Sequence, residues 1–192
     1  MPMEADWEVE IGPGSPIIDA LWQGFVDLRR FPGRIGDLEE ARHCSALAEA
    51  LLRLNCDDVS EFWTSKCDVW GLDAGTEQCD PDEMDADPAD CVAGVACYID
   101  LLPQDGAAFA ELDRTERWVR AKVGRLRQMA ARRCRADLVI RRAFVGEQEG
   151  LGVTAYLSAC GATAVGADEA LSCALAALAN AISETTQSAS TH

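Results

Sequence analysis

Basic residues are scarce in this 192-residue chain: 17 Lys and Arg stand against 33 Asp and Glu, a formal net charge of −16, and only Lys66 and Lys122 are lysines. Nucleic-acid binders draw affinity from Lys and Arg that displace counterions from phosphates, and adsorption to anionic membranes needs the same charges, so both classes are disfavoured. Histidine is scarcer still. The only non-terminal one, His43, adjoins Cys44 on a predicted helix, where neighbouring side chains diverge by about 100°, so no thiol–imidazole pair is legible. A Gly-x-Ser-x-Gly elbow is also absent. No two of the nine cysteines are separated by two residues, which excludes zinc-finger and thioredoxin-type motifs. The odd count argues against a disulfide framework, and the thiols are expected to pack as small buried hydrophobes.

A secretory leader is not legible either: Met1 to Ile11 holds Glu4, Asp6, Glu8 and Glu10 with no basic residue, and a cytoplasmic location is expected. The longest uncharged stretch, 150–167, is broken by Gly150, Gly152, Gly161 and Gly166 and reads as a strand and a turn rather than a membrane helix. Gly161 to Gly166 has the outline of a phosphate loop, but Ala167 and Asp168 stand where Lys and Ser or Thr belong, and Asp168 reads as a helix cap. No cofactor is expected.

What is present suffices for a core. At 20.7 kDa and 48% hydrophobic residues, a single domain of this length buries about 70% of its unfolded surface. Trp7, Val9 and Ile11 alternate with Glu8 and Glu10, a half-buried first strand. The segment 17–28 fits either a helix or a strand, and helix is preferred. Asp37 and Glu40 suggest a capping box before a helix over Leu38 to Leu54. Phe62 to Leu72 and Val92 to Leu102 read as strands, Phe109 to about Cys134 as one long amphipathic helix, and 138–145 with 151–160 as a hairpin. Asp168 opens a last helix, and 184–192 is a polar tail. Hairpins alternating with helices predict an α+β fold: one domain over 1–183 with a mainly antiparallel sheet of about five strands and about three to four packed helices.

Charge is divided along the chain. Residues 1–110 carry 24 acids and 6 bases, whereas 111–142 carry 11 bases and 4 acids. The most biased segment, Asp73 to Asp90, has eight acids and no base. Asp80, Asp82, Asp85, Asp87 and Asp90 are candidate ligands for a hard cation, but counting from Asp80 puts Asp85 and Cys91 where an EF-hand needs glycine and glutamate. A solvated acidic surface is the preferred reading, with Asp82, Glu83, Asp85 and Asp87 as partner contacts. On the basic helix, Arg114, Arg117 and Arg125 share a stripe bordered by Trp118 and are the second set of contact candidates. Asp68 and Asp100 interrupt apolar strands and are expected on the solvent side of the sheet. Trp63 and Trp70, an odd number apart, should face opposite sides.

The function expected from this pattern is a non-enzymatic binding module that presents acid to a basic protein partner. The alternatives are a carboxylate-dependent enzyme, such as a metal-assisted hydrolase, and a structural subunit of a homo-oligomer built through charge-complementary faces.

Overall fold

The computed structural model describes residues 2–56, 62–73, 79–104 and 110–183. The expected tail, 184–192, lies outside them, as do Phe109 and residues 74–78 of the acidic excursion. The strands are β1 (Glu4–Glu10), β2 (Ile18–Asp19), β3 (Phe62–Leu72), β4 (Ala93–Pro103), β5 (Cys134–Val145) and β6 (Gln148–Gly161). Among the described residues the α-helical elements are α1 (Glu39–His43), α2 (Ser45–Cys56), α3 (Leu112–Leu126) and α4 (Ala164–Ser183). The fold is α+β, as expected, with one six-stranded mixed sheet. Its order is β1-β5-β6-β4-β3, and β2 continues the β1 edge along β5. The β3–β4, β4–β6 and β5–β6 pairs are antiparallel; β1 and β2 run parallel to β5.

One face of this sheet carries the core. Val95, Cys97, Ile99 and Leu101 of β4, Val153 to Ala159 at alternate positions of β6, and Ala136, Leu138 and Ile140 of β5 form a continuous apolar floor. Across it lies α4, whose Ala167, Ala170, Ala174 and Leu171, Leu175, Leu178 mix small and large side chains, so that helix and sheet pack closely. By length and apolarity α4 also meets the requirement for a membrane span, with 56% of that window buried in the fold. Leu47, Leu51 and Leu54 of α2, and Val119, Val123 and Leu126 of α3, complete the layer.

Four expectations are corrected. Segment 17–28 is not a helix: its residues form the two-residue β2 and a series of turns, because Ile18 and Ala20 are drawn into a small cluster with Trp63, Leu102 and Ala143. The helix expected over Leu38 to Leu54 is broken at Cys44, which adopts an extended conformation. Its cap is Leu38, while the Asp37 carboxylate takes a hydrogen bond from Arg34 instead. The long basic helix ends at Leu126, and β5 starts at Cys134 after a turn in which Arg133 has a φ of +58°. Lastly, α4 begins at Ala164 rather than Asp168, with Thr163 Oγ1 accepting from the Gly166 N–H.

The basic helix also contains a core residue. Lys122 is fully buried, and its ammonium donates to the Ile182 carbonyl at 3.1 Å, in the last turn of α4. A cation there complements the negative end of the helix dipole.

Candidate functional site

Among the described residues, no α-helix lies across the other face of the sheet. Its side chains alternate with those of the covered face, so strand register fixes which residues meet. The central row runs Asp6, Asp137, Tyr156, Tyr98 and Asp68 across five strands. The row above runs Glu4, Arg135, Ser158, Ala96 and Trp70; the row below runs Glu8, Val139, Thr154 and Asp100. Two tyrosines thus lie between carboxylates on both flanks. Their rings are 6.0 Å apart, and Trp70 continues the aromatic line 6.3 Å from Tyr98.

Two segments wall this face at its ends, each admitted by a glycine. A Cβ on Gly94 would stand 2.8 Å from Cys79 Sγ, so the acidic loop settles onto the sheet there. A Cβ on Gly152 would stand 2.8 Å from Ile18 Cδ1, which lets the β2 segment down at the opposite end. Between the walls is a trough of about 440 Å³. Its lining includes the acids Asp6, Glu8, Glu10, Glu83 and Asp137, and the bases Arg135 and Arg141, an excess of three negative charges. Trp70 and Tyr156 supply its aromatic surface.

Both arginines are held by these acids. Arg135 Nε donates to both oxygens of Asp137, at 3.0 and 2.8 Å, and its Nη1 lies 3.1 Å from Glu83 of the acidic loop. Arg141 is 9% exposed and donates to Glu10 at 2.7 Å and to the Tyr156 hydroxyl at 2.9 Å. Its buried Nε–H has no acceptor among the described residues, a donor that a water or an entering carbonyl oxygen would satisfy. Burial, reinforced by the charges of Asp100 and Asp68, pushes the Tyr98 phenol up to about 12, so it remains a neutral donor. Burial also raises the Asp100 carboxyl, against the hydrogen bond that Thr154 donates to it at 2.7 Å.

Glu83 alone of the expected contact residues lines the trough. Asp82 and Asp85 are exposed and Asp87 is on the outer side of the same loop, where it caps a 3-10 turn by accepting from Ala89. Asp80 likewise accepts from the Asp82 N–H. Among the described residues no group of three His, Cys, Asp or Glu side chains is placed to hold a metal ion. The basic candidates lie on the far side: Arg114 and Arg117 are exposed on α3 and Arg125 is half-buried. Trp118 stacks on Phe62, ring centroids 4.0 Å apart, and so serves packing. Arg135, also among the bases of 111–142, belongs to β5 and points into the trough, away from that stripe. Asp68 and Asp100 do share the open face, although Asp100 is buried there.

The sequence reading did not single out Tyr98, Asp137, Arg141 or Tyr156. Each is one residue in an alternating strand, and only the sheet order brings them together. Trp63 and Trp70 were assigned to opposite faces, but an extra residue in β3 between Thr64 and Cys67 puts both on the open one. Compared with known protein families, curated proteins and solved structures, the chain matches none.

Proposed function

We propose that this protein is a binding module whose open sheet face receives a basic, extended segment of a partner protein. The observation that carries the reading is the row Asp6, Asp137, Tyr156, Tyr98, Asp68, in which two adjacent aromatic rings are flanked on both sides by carboxylates. Solubility needs only polar side chains on an exposed sheet; two tyrosines set between acids offer cation–π contact and charge to a Lys or Arg side chain. The trough's volume suits one or two such side chains, and β1, at the edge of the sheet, leaves a backbone edge for an extended segment to join. Asp82, Asp85 and Asp87 lie outside the trough and steer a cation toward it, an effect on association rate that falls with salt.

Calorimetric titration with an (Arg-Gly)4 peptide tests this. Saturable binding that weakens as salt is raised, with no binding of a (Gln-Gly)4 peptide, is the expected result. Equal binding of both peptides, or of neither, would overturn the reading.

A further inference from the structure

We propose that Cys79 and Cys91 form a disulfide when the protein meets hydrogen peroxide, which locks the acidic loop into a covalent ring. The two Sγ atoms are 3.4 Å apart, buried in one cluster with Met84 at the foot of the loop. Bond formation needs an approach of about 1.4 Å to reach the usual S–S length. Cys160 of β6 also hydrogen-bonds to Cys91, so the loop's two ends and the sheet share one sulfur cluster. Packing alone does not require three thiols in contact, since Ala or Val fills such a space without an oxidisable group.

Cys91 is 7% exposed and Cys79 1%, so peroxide reaches Cys91 first. The Cys91 thiolate attacks one peroxide oxygen, the O–O bond breaks, and the thiol's proton leaves with the other oxygen as water. The product is a sulfenic acid. Cys79 Sγ then attacks the Cys91 sulfur, the S–O bond breaks, and the departing hydroxide takes the Cys79 proton as a second water. Two thiols have lost two hydrogens and two electrons to one peroxide. Burial pushes both thiols up to about 11, so the reaction is slow at neutral pH and its rate rises with pH.

The test is peroxide treatment of the whole protein, alkylation under denaturing conditions, and cleavage at aspartate. Cuts between Asp80 and Asp90 leave the two cysteines on separate fragments, joined only if the bond has formed. The expected result is a Cys79–Cys91 linked pair, two fewer alkylated thiols, and a Tm higher by about 5 to 10 °C that a thiol reductant reverses. Cys160→Ser is expected to keep the link, and Cys79→Ser to lose it. Full alkylation after peroxide, a link to Cys160 in place of Cys79, or a bond only between molecules would overturn the proposal. Because the wild-type mapping needs no variant to fold, it decides the matter alone.

Discussion

Along β6, Val153, Ala155, Leu157 and Ala159 turn toward the helices and are buried, while Tyr156 and Ser158 turn the other way and stay half-buried. The same alternation along β5 sets Ala136, Leu138 and Ile140 against Arg135, Asp137, Val139 and Arg141. The covered face is fixed by what stability demands, a dry layer in which helix α4 approaches the sheet over alanines. Between its two end walls the open face is under no such demand. Its tyrosines, carboxylates and paired arginines are arranged more specifically than contact with water requires, and the glycines at positions 94 and 152 let two walls close around them. The main apolar core therefore lies on one side of the sheet, with two small buried clusters under the end walls of the other, and in our account recognition lies between those walls.

That division is open to attack by substitution, beginning where the effect is largest. Leu138→Ala, on the covered face, is expected to cost about 2–5 kcal/mol in chemical denaturation, from lost transfer energy and the cavity left behind. A cost below about 1 kcal/mol would mean that this face is not the core. Lys122→Met keeps the length of a buried side chain but leaves the Ile182 carbonyl without its ammonium donor, and should cost about 1–3 kcal/mol. Combining Asp137→Asn with Tyr156→Phe on the open face should weaken (Arg-Gly)4 binding about tenfold, equivalent to about 1.4 kcal/mol, while moving stability far less than Leu138→Ala does. A loss of stability as large as that of Leu138→Ala would erase the distinction between the faces.

Asp100 gives a smaller effect with a defined sign. Its carboxyl is raised in the folded protein above its ordinary 3.8, so folding favours the protonated form. The stability this contributes is complete below pH 3.8 and is lost as pH rises through the higher folded value. Asp100→Asn, which keeps an acceptor for Thr154, should therefore raise the Tm at neutral pH, with the gain vanishing in acid. A gain that grew in acid would contradict the burial argument. The smallest change is expected from neutralising Asp82, Asp85 and Asp87 together: less than about 0.5 kcal/mol in stability, with peptide association slowed but the trough's selectivity retained.

Much of the architecture was legible in the chain. The strand over 62–72 is legible from Trp63, Cys67 and Val69, and the one over 92–102 from a nearly continuous apolar run ended by Pro103, while Glu8 and Glu10 already point away from the core. The long basic helix misled because Leu126 and Ala130 continue the helical spacing of Val119 and Val123 past the point where the chain turns. Pairing with β6 decides in favour of the strand from Cys134 onward, while the basic side chains of 111–142 scatter to both sides of the sheet. Lys122 is only one of the 11 bases counted over 111–142, because one lysine reads like another until a helix end is seen to need it. The site was less legible than the fold for a topological reason. Asp6, Asp137, Tyr156, Tyr98 and Asp68 become neighbours through the order β1-β5-β6-β4-β3, and no local pattern encodes that order.

The most direct test of the open face as the recognition face is a chemical-shift titration of isotope-labelled protein with the (Arg-Gly)4 peptide. Our account predicts the largest perturbations at Glu8, Tyr98, Asp137 and Tyr156, with those at 82–87 smaller and abolished by salt first. Perturbations confined to the acidic loop, or centred on the covered side at Arg114, Arg117 and Arg125, would contradict it.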